Sequence, residues 1–133
     1  GVIVLELSVE QAPLTAQTVL GLAVEGRYDG VPFHRVVPNF VIQGGDVSRG
    51  DGWGGPGHAI RSELTRIPYL LGTAGMASSG KDTEGSQYFV THSMQPHLDG
   101  RYTAFGTLVE GMNALVSIRE GDIVLRATAT VTP

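Results

Sequence analysis

A guanidinium set among rings, with side-chain amides close by in the chain, is the arrangement in this sequence best suited to chemistry. Arg35 follows Phe33-His34, and five residues beyond it begins Phe40-Val41-Ile42-Gln43-Gly44-Gly45-Asp46. The nearest acid in sequence is Asp29, so no obvious ion pair consumes the charge. A permanently protonated fork of donors beside neutral amides suits recognition of uncharged polar atoms such as carbonyls. Much later, Gly85-Ser86-Gln87-Tyr88-Phe89-Val90-Thr91 again places an amide two residues before a ring. Brought together, Arg35, Gln43, Gln87, Phe40 and Phe89 would form a shallow apolar patch with fixed donors. Such a patch fits a short apolar peptide segment better than a phosphate or a metal.

Strands must carry these residues, because alternation puts every second side chain on one face. The pattern predicts strands over Val31–Val36 and Phe40–Gly44. Phe33 would then share a face with Arg35, and Phe40, Ile42 and Gly44 would oppose Val41 and Gln43. A strand over Gln87–Thr91 puts Gln87 and Phe89 on a common face. Further strands are expected over Val2–Leu7, Leu70–Met76 and Ala104–Val109, separated by Gly, Asp and Ser clusters. Pro13 sits where a first helical turn tolerates it, so a helix is expected over Leu14–Glu25, ending at Gly26, with Leu14, Thr18, Val19, Leu22 and Ala23 as its apolar stripe. A second helix fits Met112–Glu120, closed by Gly121. Val47–Ser62 reads as the longest loop.

Composition narrows the class. The 133 residues form one domain, long enough to bury a core without staples. Hydrophobic residues make up 41% of the chain and the mean hydropathy is +0.07, as in ordinary globular proteins. Gly 19 and Pro 7 point to many tight turns between short strands. A net charge of −4, with no basic run, argues against nucleic acid as a partner. No apolar run approaches the ~18 residues of a membrane span, and no signal peptide is visible. With Cys 0, disulfides and thiol chemistry are excluded, which suits a cytoplasmic or an extracytoplasmic setting equally. The start at Gly1-Val2-Ile3, without Met and in mid-strand, is read as residues 1–133 being a domain excised from a longer chain.

Several motif matches fail on chemistry. Gly75-Met76-Ala77-Ser78-Ser79-Gly80-Lys81-Asp82 nearly spells a phosphate-binding loop, but Asp82 replaces the hydroxyl that should bind Mg²⁺ and no helix follows. Gly52-Trp53-Gly54-Gly55-Pro56-Gly57 matches G-x-G-x-x-G, yet Pro56 and the missing helix exclude a dinucleotide site. Trp53 there is either exposed or folded onto the barrel. His34, His58, His92 and His97 have no metal-binding spacing, so no metal or other cofactor is expected. There is no G-x-S-x-G for serine hydrolysis. The ordinary reading of Phe40, Phe89 and Phe105 is core, and for Phe105 it is the stronger one.

Phe33-His34-Arg35, Phe40 to Asp46, Gly75-Met76-Ala77, Gly85 to Phe89 and Leu98-Asp99-Gly100-Arg101-Tyr102-Thr103-Ala104-Phe105-Gly106 resemble the signature blocks of the cyclophilins, in order and at compatible spacings. The resemblance runs from the Gly1–Leu7 strand to a closing Ile123–Val131 strand. It implies a mainly β fold, a closed eight-stranded antiparallel β-barrel capped by two α-helices. It also implies peptidyl-prolyl cis-trans isomerase activity on proline-containing peptides and on unfolded or folding proteins, by a monomer and without covalent step, cofactor or metal. By the same resemblance Arg35 and Gln43 are the catalytic pair. Phe40, Met76, Phe89 and Leu98 would grip the proline ring, with His97 and Tyr102 at the rim. Gln87 and the Ala77-Ser78 backbone would hold the flanking peptide. The runner-up reading is a cyclophilin-fold module that binds proline segments without turnover, disfavoured by the presence of Arg35. A sugar-binding barrel would need aromatic platforms, and only Trp53 offers one.

Three positions depart from the common family pattern: Ser78 where Asn is frequent, His97 where many members have Trp, and Tyr102 where His is frequent. The resemblance therefore implies altered preference rather than lost activity, and weak binding of cyclosporin, the family's cyclic-peptide ligand. An imidazole offers less apolar surface than an indole, and its neutral N–H can point elsewhere. His97→Trp should raise cyclosporin affinity about tenfold, or about 1.4 kcal/mol, with peptide turnover little changed. A titration giving equal affinity for both proteins would remove His97 from the rim.

Overall fold

A computed structural model, describing residues 1–131, builds the protein on one antiparallel sheet with two helices. In chain order the elements are β1 (Val4–Leu7), α1 (Pro13–Val24), β2 (Arg35–Val37), β3 (Val41–Gly44), β4 (Thr73–Met76), β5 (Tyr88–Thr91), a 3₁₀ turn (Pro96–Leu98), β6 (Ala104–Glu110) and α2 (Met112–Ser117). The sheet has six strands in the order β1-β6-β4-β5-β3-β2. No helix among the described residues is long and apolar enough to cross a membrane.

The mainly β architecture with two helices agrees with expectation; the closed eight-stranded barrel does not. The expected Ile123–Val131 strand reduces to one bridge, Ile123 opposite Pro32. Beside it Gly30 N–H donates to the Val124 carbonyl (2.6 Å) and Val124 N–H to that of Val31 (3.1 Å). Past Pro32, Phe33 N–H donates to the Asp122 carbonyl (2.8 Å) and Gly121 N–H to that of Phe33 (2.9 Å), whereas Leu125, on the far side of Val124, is 83% exposed. With Val31 to Phe33 paired to this segment, β2 starts at Arg35 instead of Val31. Phe33 therefore turns into the core while Arg35 faces outward, and the two do not share a face. The strand expected from Leu70 likewise begins only at Thr73, after Gly72 at φ +82° turns the chain. Helix α2 ends at Ser117, not Glu120, because Ile118 is extended and the Asp122 carboxylate accepts Arg119 N–H (2.8 Å) in the next turn.

Helix α1 stops as its sequence requires: Gly26 takes φ +72°, and Arg27 N–H returns to the Leu22 carbonyl (2.9 Å). Its start has no local cap, since Ala12 lacks a side-chain acceptor. Glu63 supplies one from the long loop, accepting Leu14 N–H (3.1 Å), Thr15 N–H (2.7 Å) and the Thr15 hydroxyl (2.7 Å). That anchor turns Thr15 and Ala16 inward with Leu22, so the buried stripe is rotated from the expected one and Leu14 stays partly exposed.

Both sheet faces are apolar, and the period of two sorts residues between them. Ile42, Ala74, Met76, Val90 and Phe105 join Phe33, Ala12 and Leu115 in the main core. Val41, Phe89 and Ala104 face the other way, with Tyr69 and Leu98, in a smaller cluster. Glu63→Ala should lower stability by about 1–2 kcal/mol, seen as a lower urea midpoint at unchanged m-value. Activity per folded molecule should hold. An unmoved midpoint would show that α1 draws nothing from this carboxylate.

Candidate active site

Register aligns the key residues in a single transverse row. Arg35 on β2 lies opposite Gln43 on β3, Gln43 opposite Phe89 on β5, Phe89 opposite Gly75 on β4, and Gly75 opposite Ala104 on β6. Strands are about 4.8 Å apart, so a long side chain from β2 reaches toward the ring two strands away. Arg35 Nη1–H donates to Gln43 Oε1 (3.3 Å), and Gln43 Nε2–H to Gln87 Oε1 (3.4 Å). The row opens onto a concavity of about 250 Å³ lined by Arg35, Phe40, Val41, Gln43, Ala77, Ser78, Phe89, Leu98 and Tyr102.

Rings form its walls. Phe89 stacks on Tyr69 (centroids 5.4 Å, 24°) and meets Tyr102 edge-on (5.9 Å, 89°). The Tyr69 hydroxyl donates to the Tyr102 carbonyl (3.0 Å), and burial, with Asp99 nearby, drives its pKa far above the usual phenol range. Phe40 comes from the β2–β3 turn, where Asn39 takes the left-handed φ of +62° that its short polar side chain tolerates. The loop beyond β5 fastens that turn: His92 N–H donates to the Phe40 carbonyl (2.7 Å) and Ser93 Oγ to that of Asn39 (2.6 Å). Arg35 lies 5.8 Å from the Phe40 centroid on the cation–π side, and exposed His97 stacks against the same ring (5.8 Å, 27°).

Beside the row, the loop after β3 is drawn around buried Asp46. Its carboxylate accepts the N–H groups of Ser48 (3.2 Å), Arg49 (3.0 Å), Asp51 (3.2 Å), Gly52 (2.9 Å) and Gly54 (2.9 Å). Burial alone would raise its pKa; the backbone donors outweigh it and hold the group well below the usual carboxylate range. Gln87 Nε2 donates to the Gly52 (2.8 Å) and Gly54 (2.9 Å) carbonyls of this loop. Trp53 between them is 85% exposed. His34 packs beneath Gly52; burial lowers its pKa, and Asp46 and Asp51 oppose that only in part.

Most expected residues gather here, with corrections. Met76 does not line the concavity: it is fully buried in the main core, because β4 turns Gly75 toward Phe89 and Met76 to the opposite face. Phe40 does not share a face with Ile42, being a turn residue and not part of β3. Gln87 and His97 stand outside the lining, one behind Gln43 and the other behind Phe40. Val41, Tyr69 and Gly75 are additional. Val41 was detectable from its shared parity with Gln43, and Gly75 from the Gly75-Met76-Ala77 block; Tyr69 carried no local signal. A more open cleft of about 480 Å³ between β2 and residues 116–120 lacks any aromatic lining. Among the described residues, no three His, Cys, Asp or Glu side chains group as a metal site would require.

An antiparallel sheet presenting a ring-lined hollow with a guanidinium at its edge defines a class of peptide-handling proteins. The chain belongs to the cyclophilin-type peptidyl-prolyl cis-trans isomerase family, whose sequence pattern it matches over residues 1–132. It is 44% identical to a peptidyl-prolyl cis-trans isomerase of Synechococcus elongatus, over 94% of this chain and 87% of that one. It is 46% identical to peptidyl-prolyl cis-trans isomerase B of Bacillus subtilis, over 90% and 84%. A Cryptosporidium parvum cyclophilin-type isomerase superposes with TM-score 0.87 at 31% identity, covering 98% of this chain and 92% of its own. A second crystal structure of that protein, obtained in the presence of the dipeptide Ala-Pro, gives TM-score 0.81 at 32% identity, covering 92% and 85%.

Two phenylalanines separate wall from core. Phe105→Ala should cost roughly 3–5 kcal/mol of stability and leave the kinetics of the folded fraction unchanged. Phe89→Ala should weaken both peptide binding and turnover, with a smaller loss of stability. Peptide titration together with chemical denaturation distinguishes them, and swapped outcomes would reverse the assignment.

Proposed function

We propose that this isomerase acts on X-Pro bonds of flexible or folding chains by non-covalent stabilisation of the twisted amide, with Arg35 as donor. Resonance makes the prolyl C–N bond partly double, with a rotation barrier of roughly 18–20 kcal/mol. At the transition state that resonance is lost and the prolyl nitrogen gains a free lone pair. A donor directed at this nitrogen favours the twisted state over either planar one, which is the differential binding catalysis requires. Arg35 suits the role because its fork stays charged and Gln43 limits its orientation.

The observation that carries the reading is the Arg35–Gln43–Phe89 row beside the hollow. Phe89, Leu98, Phe40 and Val41 would take the proline ring, leaving the preceding carbonyl to swing past Arg35. Ala77 N–H is committed to the Gln87 carbonyl (3.0 Å), so in this reading the Ala77 carbonyl and Ser78 meet the flanking peptide. The relative's structure obtained with Ala-Pro supports proline-containing peptides as substrates here.

Arg35→Ala should leave the fold intact, since Arg35 is exposed and outside both apolar clusters. It should slow isomerisation by about 10²-fold or more. Arg35→Lys should also be poor, because a point charge cannot reproduce the planar fork. Exchange spectroscopy on a proline peptide reads both. Full activity in the alanine variant would remove Arg35 from the mechanism; peptide binding without turnover in the wild type would leave only a proline-binding module.

A further inference from the structure

Arg35 projects from an edge strand into solvent, where a guanidinium normally samples many rotamers, yet it begins a hydrogen-bond relay that runs in one direction. Gln43 accepts from Arg35 through Oε1 and donates through Nε2 to Gln87 Oε1. Both amide hydrogens of Gln87 go to the carbonyls of Gly52 and Gly54. The peptide groups owning those carbonyls pass the polarisation on: Trp53 N–H donates to Asp51 Oδ1 (3.0 Å), and Gly55 N–H to Ser48 Oγ (3.0 Å). The Ser48 hydroxyl in turn donates to Asp46 Oδ1 (3.4 Å). A cation thus stands at one end and two carboxylates at the other, Asp46 buried and Asp51 exposed and paired with Arg49 (2.9 Å). Head-to-tail bonds of this kind reinforce one another, and flipping either glutamine would set like atoms face to face.

We propose that Asp46 is a positioning residue for the isomerase reaction, acting through its loop, Gln87 and Gln43 to fix the direction of the Arg35 fork. This inference rests on Arg35 being the donor. Asp46 lies outside both apolar clusters, and the loop it organises meets the site through Gln87. Withdrawing its carboxylate would release the Gly52 and Gly54 carbonyls, and the amides and guanidinium would lose their common orientation.

The test is exchange spectroscopy that separates the on-enzyme cis–trans rate from the peptide dissociation constant. Asp46→Asn leaves one acceptor oxygen where two serve the loop donors. The on-enzyme rate should fall about tenfold or more, as misplacement by a fraction of an ångström produces. The dissociation constant should change by less than about twofold, the signature of an interaction used only in the transition state. Trp53, the single tryptophan, reports the loop, and its fluorescence anisotropy should drop. In a Gln87→Leu background the relay is already cut, so adding Asp46→Asn should cost little more. Losses that multiply, or an unchanged rate with a loosened loop, would overturn the inference. If Asp46→Asn folds poorly, Ser48→Ala decides: it removes the Gly55 acceptor and should give a smaller rate loss at constant affinity, and a full rate there would equally overturn it. Arg35→Ala in the same assay separates the two proposals. If it is inactive while Asp46→Asn keeps full rate, only the relay fails; if it is fully active, the Arg35 reading itself fails.

Discussion

Phe89 can lie flat on Tyr69 only because position 75 carries no side chain. A Cβ there would overlap the Tyr69 hydroxyl and come within 2.5 Å of Phe89 Cζ, closer than real carbon atoms approach. Gly75 sits directly across from Phe89 in the β4–β5 register, so the absent methyl opens space at the centre of the transverse row. Tyr69 fills it from the loop ahead of β4, its hydroxyl donating to the Tyr102 carbonyl in the bend that leads into β6. The floor of the hollow is therefore set by backbone proximity. Glycine in a strand interior normally weakens it; here the cost is offset by two stacked rings.

The polar side of the site follows from the same register. Gln43 and Arg35 continue the row outward from Phe89, so polarity increases from the centre of the sheet to its edge, where Arg35 carries the charge. An interior guanidinium would carry a heavy desolvation cost. On the edge strand it stays hydrated while Gln43 restricts it. The proposed catalytic donor thus needs no acidic partner, which would compete with a substrate amide for its N–H groups.

Alternation within a single strand was legible in the sequence; the placement of strands against one another was not. Val41 and Gln43 lie within one short strand, where parity is a local property, whereas Gln87 stands just ahead of β5 and outside the lining. Met76 failed because parity says that Gly75 and Met76 face opposite ways without saying which face is the site; only pairing with β5 decides. Phe40 does line the hollow, but from a turn, because the expected strand was drawn one residue too far. The barrel was overdrawn in the C-terminal segment, whose pairing with Pro32 spans about ninety residues of sequence, beyond any window of periodicity. Glu63 as the cap of α1 was equally invisible, since a loop acid 48 residues beyond Thr15 leaves no mark near the helix start.

The two apolar faces of the sheet are closed to different degrees. One face is finished: Leu115 from α2 and Ala12 at the start of α1 close over Ile42, Met76, Val90 and Phe105. On the other, Val41, Phe89, Leu98 and Ala104 have the composition of a core, yet part of their surface borders the hollow. In the proposed reading the prolyl ring completes this second core, gaining the roughly 25 cal/mol per Å² that apolar burial provides. That gain is the same for cis, trans and twisted bonds, so it holds the substrate without favouring any of them. Discrimination is left to the polar edge, where only the twisted nitrogen offers a lone pair to Arg35. In that reading, grip falls to the rings and catalysis to the polar edge of the same row, so the orientation of the edge would matter more to rate than to affinity.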